Sequence, residues 1–405
     1  MGTVASERSV VDATQRTVCR PDAEVSVVSN RLRRTVAWCC FAFTLVTGLL
    51  GRGPLGTAGI DAVEVVTFKS GPKDLNNGAP QATRTVNGRI LLSGQDGSMM
   101  LQSDDGRIWT IQPEQIIKRE SNDKPFTPIS CNEMVKRMTQ EFPRGIQVYR
   151  TKHYIIIHNS NRQHINQVGR LFEQLYKAFY TYWDNQDWPL EEPEFPLVAL
   201  VFADRNQFVK FGSAEAGDAV DSLIGYYNLA TNRMTTYNVP DWERNLSTII
   251  HEATHQLAYN SGLQRRFADN PTWVSEGLAM YFEAPDMRNM SRWSGIGEVN
   301  QKNLKRWREY SARRPSDSLS SLIGDDTRIM SAETALDAYG EAWALTYFLI
   351  RTHKEEYLKY LRSISESRIG TQLTPHQRLK MFSGALGKSL LEIDREFRLY
   401  MHKVR

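Results

Sequence analysis

The strongest signal in this chain is the stretch Thr248-Ile-Ile-His-Glu-Ala-Thr-His-Gln-Leu257, which is followed by Trp273-Val-Ser-Glu-Gly277. Residues four apart in an α-helix lie on one face, one turn apart, so His251 and His255 can bind one metal ion with their imidazoles. Glu252 lies one residue from His251, and its carboxylate can accept a proton from a metal-bound water. The pattern predicts the site of a zinc hydrolase.

The sequence around the two histidines agrees with this prediction. The chain has only 8 histidines in 405 residues, so a chance match to the motif is rare. The flanking residues are uncharged and apolar, as a helix buried beside a metal requires, and no proline interrupts residues 246–259. The alternative is a structural helix or a site that has lost its metal.

A second predicted helix begins after Pro271, because proline is favoured in the first turn. It carries Glu276 together with an apolar face formed by Trp273, Val274, Leu278, Ala279 and Phe282. The third histidine of metzincins is absent, since the chain reads Tyr259-Asn-Ser-Gly262 at that place. Glu276 is therefore the expected third ligand, and we expect one Zn²⁺ per chain.

Residues 1–62 differ from the rest of the chain. Three arginines (Arg31, Arg33 and Arg34) precede an apolar run from Val36 to Leu50, and small residues follow it. This order predicts an export signal, cleaved near Ala58 or Ala62. The run is shorter than a membrane span of roughly 20 residues, although a retained N-terminal anchor or a later start codon would also explain the long leader. We expect an exported protein: periplasmic, cell-envelope or extracellular.

Cysteine content and charge limit the expected partners. Three of the four cysteines lie in the leader, so only Cys131 remains afterwards and an internal disulfide is excluded from the mature chain. The 50 basic and 46 acidic residues nearly balance, which gives no reason to expect nucleic acid or an anionic membrane surface as a partner. The sequence leaves the oligomeric state open.

Residues 63–119 are predicted to form a small all-β module. Apolar runs at 89–92, 98–102 and 107–111 are separated by two Asp-Gly turns, which are typical of hairpins. The expected role of this module is folding or docking. The polar, proline-ended segment 120–125 is predicted to be a linker.

Residues 126–405 are predicted to form the second domain, with a mixed sheet part followed by a helical part. Strands are expected within 147–158 and at 195–202, a long helix between them, and a hairpin from Ile224 to Tyr237 directly before the motif helix. Beyond Asp286 the pattern is mostly helical. The predicted fold class is therefore α+β, preceded by the β module.

The order of strands, hairpin, His-Glu-x-x-His helix and glutamate helix resembles the gluzincin metallopeptidases, the clan that includes thermolysin. More closely, the chain resembles a bacterial domain family of unknown function in the peptidase-MA-like group. The segments that carry this resemblance are 107–115, 194–199, 224–234, 251–256, 273–278 and 338–343. The resemblance implies a gluzincin-like catalytic domain over residues 126–405.

The resemblance also implies roles for individual residues. His251, His255 and Glu276 match the metal ligands, and Glu252 matches the general base. Tyr339, in Ala-Tyr-Gly-Glu-Ala, resembles the tyrosine that stabilises the oxyanion, although a tyrosine at this spacing is also typical of a helix core. The hairpin before the motif helix would bind the substrate backbone by strand addition, and its three tyrosines could equally serve packing.

One position departs from the thermolysin pattern. Where an aspartate would orient a histidine ligand one turn after the glutamate ligand, this chain has Met280. Glu283 and Asp286 are the two carboxylates that could replace it.

Together these observations predict a zinc-dependent peptide hydrolase whose substrate is a peptide or protein. No motif for binding a free amino terminus is visible, which favours an endopeptidase over an aminopeptidase. The alternative is a catalytically inactive binding protein of the cell envelope on a gluzincin scaffold, which docks partners through the β module.

Overall fold

The computed structural model describes residues 62–70, 82–142, 145–284, 293 and 296–405. The predicted leader and Asp286 lie outside the described residues, apart from Ala62. In the described ranges the chain forms two five-stranded sheets and twelve α-helices, which confirms the predicted α+β class. None of the helices in these ranges is both long and apolar enough to cross a bilayer.

The first sheet is antiparallel and has the strand order β4-β3-β2-β1-β5. Its strands are β1 (Ala62–Ser70), β2 (Ala82–Ser93), β3 (Met99–Ser103), β4 (Ile108–Ile111) and β5 (Ile116–Pro125). The two Asp-Gly turns join β2 to β3 and β3 to β4. Gly97 and Gly106 adopt φ angles of 89° and 81° there, which glycine tolerates best. We call residues 62–125 the β module.

The predicted linker at 120–125 is instead the second half of β5. Glu120 pairs with Val65, and Ser121 pairs with Glu64, so the strand continues along β1 to Pro125. The polar composition misled the prediction because β5 is an edge strand, whose side chains are largely exposed and whose proline lies at the strand end.

The second sheet is mixed and has the order β6-β7-β8-β10-β9. Its strands are β6 (Gln147–Arg150), β7 (Tyr154–His158), β8 (Leu197–Phe202), β9 (Gly225–Asn228) and β10 (Arg233–Tyr237). β8 lies between two parallel neighbours, β7 and β10, and all of its side chains are buried. This position explains its uninterrupted apolar sequence. β9 pairs antiparallel with β10 and forms the edge of the sheet.

Helices cover both faces of the second sheet and form most of the C-terminal half. The first five are α1 (Cys131–Glu141), α2 (Arg162–Asp184), α3 (Arg205–Ala216), α4 (Trp242–Asn260) and α5 (Thr272–Phe282). The remaining ones are α6 (Gln301–Ser311), α7 (Ser318–Gly324), α8 (Thr327–Met330), α9 (Ala335–Thr352), α10 (Lys354–Ser365), α11 (Pro375–Leu386) and α12 (Leu390–Met401). The predicted helical pattern beyond residue 286 is thus confirmed for the described residues.

Helices α4 and α5 carry the motif residues into the main hydrophobic core. The N-cap of α4 is Asp241, whose side chain accepts a hydrogen bond from the backbone N–H of Arg244. α5 is buried along its whole length, and it packs closely against α9 at Gly277. A Cβ atom on Gly277 would lie 2.9 Å from the carbonyl oxygen of Ala342, so glycine permits this approach.

Candidate metal centre

The motif helix α4 is fixed to the second sheet by a buried glutamine. The Nε2 atom of Gln256 donates hydrogen bonds to the carbonyl oxygens of Val198 in β8 and Asn232 beside β10, each at 3.0 Å. Gln256 directly follows His255, so these bonds set the rotation of the helix at the metal-ligand positions. The two histidines consequently face α5 rather than the sheet.

The three predicted ligands meet at one point between α4 and α5. The Nε2 atom of His251 lies 3.2 Å from the Nε2 atom of His255 and 3.2 Å from Oε2 of Glu276. The Nε2 atom of His255 lies 3.6 Å from Oε1 of Glu276. Ligand atoms about 2.0–2.1 Å from a tetrahedral zinc ion are about 3.3 Å apart, so these separations match such an ion.

The donor set also fits zinc chemically. Two imidazole nitrogens and one carboxylate oxygen leave a fourth position for water or substrate, as in catalytic zinc sites. Among the described residues, this is the one group of three or more His, Cys, Asp or Glu side chains whose ligand atoms lie within 4.8 Å of one another. Glu276 and His255 are buried, at 3% and 6% exposure, and the side chain of His251 is 14% exposed.

Glu252 follows His251 on α4, and its carboxylate contacts the edge strand β9. Its Oε2 atom accepts a hydrogen bond of 2.9 Å from the backbone N–H of Tyr227 in β9. Burial raises the pKa of Glu252 to about 7, while the neighbouring positive charge of His251 opposes this rise. A buried carboxylate with a pKa in this range is matched to proton transfer near neutral pH.

Glu283 makes the contact with a histidine ligand position that the absent aspartate would make. Its Oε2 atom lies 2.7 Å from Nδ1 of His251, and its Oε1 atom accepts a hydrogen bond of 3.0 Å from the amide of Asn300. Of the two carboxylates that the sequence offered for this role, Glu283 is the one that the structure describes at the site. When Nε2 of His251 binds a metal, the proton resides on Nδ1 and donates to Glu283.

Tyr339 on α9 reaches the same cluster. Its hydroxyl donates a hydrogen bond to the carboxylate of Glu276. The close packing of α5 and α9 at Gly277, one residue after Glu276, makes this contact possible. The structure therefore brings together all five residues that the sequence analysis singled out.

The charges of the three candidate ligands are strongly coupled. Burial opposes the protonation of His251, yet the hydrogen bonds to Glu276 and Glu283 outweigh it and raise the pKa of His251 well above its usual range. Burial lowers the pKa of His255 to about 4. Burial disfavours the ionised form of Glu276, but the nearby histidines reverse this effect and lower its pKa. A metal ion would compete with the proton on His251, because an imidazole binds a metal in its neutral form.

The three tyrosines of the hairpin are engaged in packing. The hydroxyl of Tyr226 donates to Glu215 at 2.9 Å, and the ring of Tyr227 stacks on Tyr259 at a centroid distance of 5.7 Å. Tyr237 is buried beside Phe208. Of the two roles that the sequence left open for these rings, the structure shows the packing role.

Sequence reasoning missed two contacts in the site. The backbone N–H of Tyr227 carries no side-chain signal, and Asn300 is distant in sequence from the motif. The one local signal at Asn300 is the preference for asparagine at a helix N-cap, here that of α6. This preference does not predict the contact with Glu283.

The comparison with known families identifies the segment that carries the site. The model of a family described as protein of unknown function (DUF1570) matches residues 245–369. This match confirms the predicted resemblance to a family of unknown function over these residues. The match includes the three candidate ligands, Glu252, Glu283 and Tyr339. No curated protein matches the chain.

Proposed function

We propose that the protein is a zinc-dependent peptide hydrolase of the gluzincin type. The observation that carries the proposal is the spacing of three ligand atoms, 3.2 to 3.6 Å apart, with the buried carboxylate of Glu252 beside them. A structural zinc site would be closed by four protein ligands and would not need an adjacent carboxylate.

His251, His255 and Glu276 would hold the ion. Zinc bound there supplies an acidified water molecule and polarises the scissile carbonyl. Glu252 accepts the proton of the attacking water and passes it to the leaving amine. Tyr339 donates a hydrogen bond to the oxyanion as negative charge develops on it. To do so, its hydroxyl exchanges its bond with Glu276 for one with the substrate.

The edge strand β9 supports a peptide as the substrate. In an antiparallel pair, the backbone groups of successive residues point alternately toward and away from the partner strand. The N–H of Tyr227 points to Glu252 and away from β10, so it lies at the free edge of the sheet. A peptide that pairs with this edge would have its backbone beside the general base. By analogy with gluzincins, we assign substrate binding to β9 and favour an endopeptidase.

The test of this proposal is the variant Glu252→Gln. We expect it to bind zinc like the wild type and to lose cleavage of a peptide library, measured by mass spectrometry, because glutamine cannot accept the proton. Glu243→Gln is the matched control, since Glu243 lies in the first turn of the same helix and is partly exposed. Full activity of Glu252→Gln contradicts the general-base role.

The same experiment addresses the alternative function. Wild-type protein that binds zinc but cleaves no peptide would favour the inactive binding protein on a gluzincin scaffold. Export of the protein stays a prediction, because it rests on residues outside the described ranges.

A further inference from the structure

The β module contacts the hairpin that holds the general base. The backbone N–H of Ile108 in β4 donates a hydrogen bond of 2.7 Å to the carbonyl oxygen of Ala230, in the turn between β9 and β10. An apolar cluster fills the space around this bond. It contains Leu92, Met100 and Ile108 from the module and Leu229 and Phe267 from the second domain.

Arg266 links the two turns through its side chain. The residue is 6% exposed, and its Nη1 atom donates to the carbonyl oxygens of Gly106 at 2.8 Å and Leu229 at 3.2 Å. Gly106 lies in the turn between β3 and β4 of the module, whereas Leu229 lies in the hairpin turn. One guanidinium group therefore sets the distance between the module and the hairpin.

The hairpin in turn sets the position of Glu252. The N–H of Tyr227 donates to Glu252, and the hydroxyl of Tyr227 donates to Asn232 at 2.6 Å. The side chains of Asn232 and Asn260 hydrogen-bond to each other at 2.7–2.8 Å, which ties the hairpin to the end of α4. A shift of the hairpin turn would reach Glu252 through this short series of contacts.

Arg266 also lies in the loop that joins the two ligand-bearing helices. This loop connects α4, which carries the histidines, to α5, which carries Glu276. Phe267, the residue after Arg266, has a φ angle of 60°, a left-handed conformation that a bulky residue rarely adopts. Phe267 packs in the apolar cluster with the module, so the module helps to maintain this conformation.

We propose that the β module is a working part of the catalytic unit and that Arg266 is a positioning residue, which holds the hairpin against Glu252. This inference rests on the proposed function for its catalytic consequence. It assigns the module a role in the reaction, in addition to the folding or docking role expected from the sequence. Displacement of a general base by about 1 Å is enough to slow a reaction about 100-fold.

The test compares Arg266→Met with Arg266→Lys in the zinc-loaded full-length chain. Methionine retains the apolar stem but removes both hydrogen bonds, whereas lysine can still donate to the two carbonyls. The matched control is Arg265→Met, because Arg265 is the exposed neighbour in the same loop. The readouts are kcat and KM, zinc content and amide hydrogen exchange of peptides covering residues 225–237.

We expect Arg266→Met to keep its zinc, to lose about 10- to 100-fold in kcat and to exchange faster in 225–237 than elsewhere. Arg266→Lys should recover part of both effects, and Arg265→Met should behave as the wild type. Unchanged kcat and exchange in Arg266→Met would overturn the proposal. Uniformly faster exchange over the whole chain would overturn it as well, because it would show a general loss of stability.

A second variant covers the case in which Arg266→Met does not fold. Met100→Ala shortens a module side chain in the apolar cluster and leaves every hydrogen bond in place, and the same local changes are expected. If the wild type binds zinc but cleaves nothing, the proposed function fails. The exchange comparison then still decides whether Arg266 holds the hairpin.

Discussion

The hydrogen bond between Glu283 and His251 provides a sharp test of how the proposed site would hold a metal ion. The substitution Glu283→Gln replaces one carboxylate oxygen with an NH2 group and preserves the shape of the side chain. The carboxylate of Glu283 lies 2.7 Å from Nδ1 of His251 and also accepts a bond from Asn300. The carbonyl oxygen of glutamine can accept a hydrogen bond from one of these two donors. Its NH2 group, itself a donor, then faces the other one.

The expected magnitude follows from the charge and burial of this pair. Both side chains are 14% exposed, so water cannot readily replace the lost bond. The carboxylate also makes His251 a stronger ligand, and glutamine lacks that charge. Loss of such a contact typically weakens metal binding about 10- to 100-fold, which is about 1.4 to 2.8 kcal/mol. We expect Glu283→Gln near the lower value and Glu283→Ala near the upper one.

The assay is a zinc titration against a competing chelator of known affinity, at constant pH. Glu298→Gln serves as the matched control, since Glu298 is exposed and precedes Asn300 in the same segment. An unchanged zinc dissociation constant in both Glu283 variants would contradict this role of Glu283. Equal weakening of zinc binding by the Glu298→Gln control would contradict it as well.

Three further predictions concern activity and stability. Gly277→Ala places a methyl group against Thr346, so it should cost about 1–3 kcal/mol and lower Tm; an unchanged Tm contradicts the close helix packing. Tyr339→Phe should lower kcat about 100-fold with zinc retained, whereas loss of zinc alone would assign the hydroxyl to ligand support. Burial, with a smaller contribution from His158, lowers the pKa of His164 to about 4. The free energy of unfolding should therefore decrease as the pH is lowered from 6.5 to 4. The decrease is at most about 3 kcal/mol, and less where solvent screens the ring. The free energy of unfolding, measured in urea at pH 7 and pH 5, should differ less between the two pH values in His164→Gln than in the wild type. An equal difference in both proteins would exclude His164 as the cause.

The sequence predicted the part of the site that rests on local spacing. His251, Glu252 and His255 follow from the helical repeat, and Glu276 follows from the helix after Pro271, because both elements are defined by neighbouring residues. For the carboxylate that orients a histidine ligand, the sequence offered both Glu283 and Asp286. The position of Glu283 depends on where α5 ends, and its contact with Asn300 depends on how α6 packs. A local sequence pattern contains neither of these.

For the fold as well, the sequence predicted the elements that have strong local signals and missed those that depend on distant contacts. The buried strand β8 and the Asp-Gly turns carry strong local signals, and both are present in the structure. The continuation of β5 to Pro125 was missed because an exposed edge strand has the composition of a linker. The packing of the β module on the hairpin was invisible in the sequence, since it depends on contacts such as that between Arg266 and Gly106, 160 residues apart.

The metal content of the purified protein tests the proposed zinc site most directly, measured by elemental mass spectrometry with His255→Ala in parallel. We expect about one zinc per chain in the wild type and little or none in the variant. Wild-type protein that is folded, free of metal and unable to take up added zinc would contradict the proposed zinc site.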